Sequence, residues 1–73
     1  MKIEISKTPI SFSTSDKQVL IRTNINIPFF VARSEDTPDD EWFKVDGVLK
    51  MKENDTLYFK SFSQDLTLVV LEL

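Results

Sequence analysis

The residues best suited to chemistry lie in one short stretch, SEDTPDDEWF, which spans residues 34–43. Five carboxylates fall within positions 35–41, and the only tryptophan of the chain, Trp42, follows them directly. Crowded carboxylates could hold a calcium ion, but an EF-hand needs regular acidic spacing and a glycine, and residues 34–41 offer neither. We call residues 35–41 the acidic loop. Three roles stay open for it: a solvated loop turned by Pro38, a loop that docks on a basic partner, or a loose calcium site. We assign no metal site.

The chain contains neither histidine nor cysteine. No imidazole is therefore present to act as a general base near neutral pH, and no serine triad can be built. The absence of thiols excludes disulfides, thiolate zinc sites, iron-sulfur clusters and cysteine nucleophiles. We expect a non-enzymatic protein without catalytic residues or cofactors.

Charge and hydropathy exclude further classes of partner. The formal net charge is −3, and the nine Lys and Arg residues are scattered, which argues against nucleic-acid binding. The acidic loop alone carries five negative charges, so the rest of the chain carries a net charge of +2. No apolar window is long enough to cross a membrane, and the first residues lack the apolar segment of a signal peptide. We expect a soluble, non-exported chain with no membrane contact.

The composition predicts an all-β protein. Eighteen of the 73 residues are Ile, Val or Thr and six are Phe, whereas Ala and Gly each occur once. Period-2 alternation recurs in short runs, and no run keeps helical spacing over three turns. The predicted strands cover residues 2–6, 10–13, 19–23, 25–32, 42–45, 48–51, 56–62 and 66–73. Seven or eight strands at this spacing predict a small antiparallel β-sandwich or jelly-roll-like barrel, in one domain of residues 1–73.

Four local expectations follow from the strand pattern. Pro28 cannot donate to a ladder, so its strand should lie at a sheet edge or be bulged. Asp46-Gly47 predicts a tight hairpin between its flanking strands. The run 66–73 is apolar on both faces, so it should be a central strand or be covered by another chain. Finally, four lysines should fall on the solvent sides of their strands: Lys44, Lys50, Lys52 and Lys60.

The chain carries more apolar surface than a domain of 73 residues can easily hide. Phe29 and Phe30 point to opposite faces of one strand, and the excess recurs at Leu20 and in the C-terminal strand. We therefore expect one sheet face to contact another polypeptide. The residues predicted for this interface are Phe30, Trp42, Tyr58 and Phe62, with Asp39 and Asp40 of the acidic loop. For Trp42 the alternative is a place in the core. For the excess of apolar surface as a whole, the alternative is a sandwich that covers both sheet faces without a partner.

From Phe29 to the C-terminus the chain resembles small all-β bacteriophage virion proteins of the head-decoration and tail-accessory kind. In those proteins an apolar strand leads into a Thr-Pro acidic loop, a Gly-Leu hairpin, an acidic turn, an aromatic strand ending in Ser-x-Ser, and a closing apolar strand. The matching segments are residues 30–34, 37–40, 47–49, 53–55, 57–63 and 68–72, within a region of roughly 45 residues.

The resemblance implies a structural subunit present in many symmetric copies, often as trimers, that binds other capsid or tail proteins. It also implies residence in the virion after synthesis in the host cytoplasm. No catalytic residue transfers. Two alternatives remain: a small acidic inhibitor that docks on a basic site of a target enzyme, and a carbohydrate-binding module that stacks sugars on Trp42.

Overall fold

The computed structural model describes residues 1–73 and contains eight β-strands and one short 3-10 helix, Asp39–Glu41. The strands are β1 (Lys2–Ile5), β2 (Ile10–Ser13), β3 (Val19–Thr23), β4 (Phe29–Ala32), β5 (Phe43–Val45), β6 (Val48–Met51), β7 (Thr56–Lys60) and β8 (Leu66–Glu72). No helix is long and apolar enough to span a membrane. The predicted all-β fold is confirmed.

The strands form two four-stranded antiparallel sheets. Sheet I has the order β1-β8-β3-β6, and sheet II has the order β2-β7-β4-β5. Consecutive strands mostly alternate between the sheets, and this order is the jelly-roll arrangement of two Greek keys. The two sheets remain separate, so the fold is a sandwich and not a closed barrel. Strand β8 lies between β1 and β3, as predicted from its apolar residues on both faces.

One hydrophobic core joins the sheets, because alternate residues of each strand point inward. Its fully buried members include Ile21 and Leu68 from sheet I and Phe29 and Phe59 from sheet II. The rings of Phe29 and Phe59 are stacked, with their centroids 6.1 Å apart. The residues between these inward positions point to the two outer faces of the sandwich.

Two local expectations were wrong. Strand β4 lies in the interior of sheet II, between β7 and β5, and is not an edge strand. It tolerates Pro28 because the strand begins at Phe29, which places the missing N–H outside the ladder. Asp46-Gly47 makes the predicted two-residue connection, but β5 and β6 belong to different sheets and do not pair. Gly47, at φ 115°, turns the chain from one sheet to the other.

Candidate protein-binding surface

The acidic loop folds as part of the connection between β4 and β5. Ser34 organises its start: the Ser34 hydroxyl accepts a hydrogen bond from the Asp36 backbone N–H, and the Ser34 carbonyl accepts one from the Thr37 hydroxyl. Pro38 then leads into the 3-10 helix, whose three residues are all acidic. Local side-chain and backbone bonds therefore hold the loop in one shape, as the Ser, Thr and Pro content favours.

Trp42 anchors the end of this loop inside the molecule. Its indole N–H donates to the Thr37 carbonyl at 2.8 Å, and only 6% of the residue is exposed. Trp42 was predicted as an interface residue with a place in the core as the alternative, and its burial fits the alternative: a covered, hydrogen-bonded indole supports the surface from below.

Lys60 lies at the centre of the cluster. Its ammonium Nζ is 4.5 Å from the ring centroid of Trp42, 4.4 Å from that of Phe62, and 2.8 Å from the Asp39 carboxylate. Two aromatic faces and one carboxylate surround the cation, so its charge is compensated although its side chain is only 9% exposed. The expectation that Lys60 faces solvent was therefore wrong. The pattern gave the right sheet face but could not show that the acidic loop covers it.

The exposed part of this cluster is aromatic. Phe30 and Phe62 pack edge to face, with centroids 4.6 Å apart and ring planes at 89°. Phe30 is half-buried, and Phe62 is exposed. Tyr58, also half-buried, lies on the same outer side, because it is opposite Ala32 in the register while Lys60 is opposite Phe30. We call Phe30, Tyr58 and Phe62 the aromatic face of sheet II.

The predicted interface residues thus largely share one side of the molecule. The structure brings together Phe30, Trp42, Phe62 and Asp39 around Lys60. Tyr58 lies on the same side without a ring contact to the others, and Asp40 lies on the exposed surface of the 3-10 helix, where it forms no ion pair.

The outer side of sheet I carries a second apolar surface. Leu71, Leu20, Val69 and Val48 point outward from β8, β3 and β6 and line a shallow concavity with Arg22. Leu71 is 59% exposed and Val48 is 58% exposed. We call these four apolar residues the aliphatic face. The sequence hinted at it through Leu20 and β8, but the contribution of β6 depended on its pairing with β3.

Phe43 is an exposed aromatic that sequence reasoning did not select. It is 75% exposed at the end of edge strand β5, opposite Val31 in the register. The alternation of Trp42 and Phe43 indicated that one of the two side chains is buried, and in the structure this is Trp42. Phe43 lies away from the aromatic face and offers a matched control for it.

The remaining charged groups form few contacts with one another. No cluster of three or more acidic side chains has a geometry that could hold a metal ion. The ion pair of Arg33 and Asp55, at 2.6 Å, ties the end of β4 to the start of β7. The hydrogen bond from Arg33 holds the pKa of the Asp55 carboxyl below its ordinary value of 3.8, aided by the Thr56 backbone N–H. This pair is a structural contact.

Comparisons with protein-family models, with curated proteins and with solved structures find no significant match to this chain.

Proposed function

We propose that the protein is a non-enzymatic interaction subunit whose role is contact with other polypeptides. More specifically, we propose an accessory subunit of a bacteriophage particle, of the capsid-decoration (cement) or tail-accessory kind, that is made in the host cytoplasm and resides in the virion. It binds other capsid or tail proteins in symmetric copies, as a homo-oligomer such as a trimer.

The observation that carries this proposal is the apolar surface on both outer sheet faces. An outer face of a sandwich that meets only water normally carries polar side chains. Here Phe62, Leu71 and Val48 remain exposed on the outer sides of the molecule, while the core between the sheets is already complete. Contiguous exposed apolar residues are typical of protein–protein contact.

Two further features support the more specific role. The jelly-roll strand order recurs in viral capsid domains, although the same fold also serves lectins and cupins and does not by itself assign a function. The sequence resemblance to small virion proteins covers the segment from β4 to β8, and this segment contains all three aromatic-face residues.

The test is binding of the purified chain to candidate capsid and tail proteins, measured by light scattering with mass determination. A complex that is lost in the variant Phe30→Ser/Phe62→Ser supports the proposal, because this change removes the exposed aromatic pair. Phe43→Ser is the matched control, since it removes an equally apolar ring elsewhere and should leave the complex intact. No complex with any virion protein, or a complex indifferent to the aromatic pair, contradicts the proposal.

An acidic inhibitor is the second candidate, and one observation favours it. Only Asp39 among the five loop carboxylates forms an ion pair, so Glu35, Asp36, Asp40 and Glu41 are free to meet a basic site. Neutralising Asp40 and Glu41 with Asn and Gln would then abolish binding to the target, whereas the virion-subunit proposal predicts a larger effect from replacing Phe30 and Phe62.

The carbohydrate-binding alternative loses its basis, because the Trp42 ring is covered and has no free face for a sugar.

A further inference from the structure

The charges around the two outer faces have opposite signs. Three basic residues, Lys2, Arg22 and Lys50, point outward from sheet I around the aliphatic face, and Glu4 is the single acidic residue that points outward from the same strands. All four are exposed. Asp46, which shares a concavity with Arg22 and Val48, is paired with Lys44. The surroundings of the aliphatic face are therefore net basic.

The opposite side of the sandwich is acidic. The bond from Asp39 to Lys60 fixes the acidic loop over the outer side of sheet II, next to the aromatic face. Of the loop carboxylates, only Asp39 is neutralised by an ion pair. Lys44, the other lysine on the outer side of sheet II, lies 3.8 Å from Asp46 and forms no ion pair with the loop.

Each molecule thus has an apolar side with a basic rim and an apolar side with an acidic rim, on opposite faces of one sandwich. We call a contact between the same sides of two copies front to front, and a contact between opposite sides front to back. A front-to-front contact would bring like charges together, whereas a front-to-back contact places unlike charges together. We propose, as an extension of the proposed function, that a second copy of this chain is the first partner: the aliphatic face of one copy binds the aromatic face and acidic loop of the next.

The size of the molecule supports this arrangement. Its extents are 30 × 25 × 17 Å, so even the largest side offers about 750 Å², close to the roughly 800 Å² that each partner gives to an interface of standard size. A front-to-front dimer uses one side of each copy only. Front-to-back contacts use both sides, so every copy inside the assembly forms two interfaces.

A front-to-back contact is heterologous, and it closes into a ring or continues as a filament, depending on the rotation between neighbours. In either case the strand edges and the loops at the ends of the sandwich stay free to meet a larger particle. The exposed charges select the orientation and speed association, and the apolar faces supply the affinity.

The test is a charge swap, followed by sedimentation velocity at low salt. The basic-face variant is Arg22→Glu/Lys50→Glu, and the loop variant is Asp36→Lys/Asp40→Lys. Each variant alone opposes like charges at the contact, so each should sediment at the monomer mass of 8.5 kDa under conditions where the wild type assembles. An equimolar mixture should assemble again, because each reversed surface now finds its complement.

The controls carry the same change of net charge at exposed sites away from both faces. Lys7→Glu/Lys52→Glu matches the basic-face variant, and Asp16→Lys/Asp65→Lys matches the loop variant. Both controls should assemble like the wild type, and circular dichroism should show unchanged β-structure in every variant.

Restored assembly in the mixture supports the front-to-back contact. Three results overturn it: a wild-type chain that stays monomeric at millimolar concentration, variants that assemble alone, or a mixture that stays monomeric. These results are independent of the proposed virion role. A monomeric chain that binds capsid or tail proteins removes the front-to-back contact alone, and a self-assembling chain that binds none removes the virion role alone.

Discussion

Replacing Lys60 with methionine tests how the acidic loop is held. Methionine keeps the apolar stem between Trp42 and Phe62 but removes the cation that lies 4.5 Å and 4.4 Å from their ring centroids. Each cation–π contact contributes about 1 kcal/mol at a largely desolvated site. The bond to Asp39 adds about 0.5 kcal/mol, because the Asp39 side chain is 79% exposed and solvent screens it.

Removing the cation also recovers part of the cost of taking it out of water, so the net loss for Lys60→Met is about 1–2 kcal/mol of unfolding free energy. For a domain of this size that corresponds to a fall in Tm of about 4–16 °C. Lys60→Ala should lose roughly 2 kcal/mol more, because the buried methylenes go as well.

Urea unfolding followed by the fluorescence of Trp42, the only tryptophan, measures the free energy of unfolding of both variants. The matched control is Lys44→Met, on the same side of sheet II but 57% exposed, which should stay within about 0.5 kcal/mol of the wild type. A Lys60→Met variant as stable as the wild type would refute the reasoning, since the loop would then be held by apolar packing alone.

Three further changes have definite expected outcomes. Gly47→Ala should destabilise the fold by about 1–2 kcal/mol in urea unfolding, because φ at this position is 115°, which an L residue rarely adopts. No atom lies within 4 Å of the added Cβ, so the loss would come from the backbone conformation alone, and a neutral effect would contradict this explanation. Trp42→Phe should lower the free energy of unfolding by about 1–2 kcal/mol, because the Thr37 carbonyl loses its hydrogen-bond donor. Urea unfolding followed by circular dichroism measures this loss, and an unchanged midpoint would show that the bond contributes nothing. The contact with Arg33 that lowers the pKa of Asp55 stabilises the fold fully above the ordinary value of 3.8, and this contribution is lost as pH falls through the lower folded value. The wild type should therefore have a higher Tm than Arg33→Ala at pH 7, and this difference should shrink in strong acid. A difference independent of pH would contradict the ion-pair account.

The strands were predictable because local alternation and burial agree along most of the chain. In β8, Leu66, Leu68 and Val70 are buried as the pattern indicated, and apolar residues on the other face of the strand placed it correctly in the interior of a sheet. Inward positions on a short strand depend on parity alone, so a single sequence is enough to assign them.

Pairing between strands was not predictable in the same way. Asp46-Gly47 has the chemistry of a tight turn, and the chain does turn there. Turn chemistry, however, does not say whether the next strand stays in the same sheet, because that depends on which distant strand pairs with it. Here β6 pairs with β3, more than twenty residues earlier, and this long-range choice produces the jelly-roll order.

The site was only partly predictable for a related reason. Phe30, Phe62 and Asp39 were selected from the sequence, and the structure places them near one another. Lys60 was missed because a lysine on an outer strand position is normally solvated. Its burial depends on a loop about twenty residues away folding over the sheet, and no local pattern encodes that contact.

The most direct measurement of the central claim is the mass of the purified chain in solution, by light scattering over a range of concentration, alone and with capsid and tail proteins. Because apolar residues remain exposed on both outer faces, we predict species heavier than 8.5 kDa that dissociate when Phe30 and Phe62 are replaced by serine. A single 8.5 kDa species at every concentration, indifferent to every candidate partner, would contradict the account.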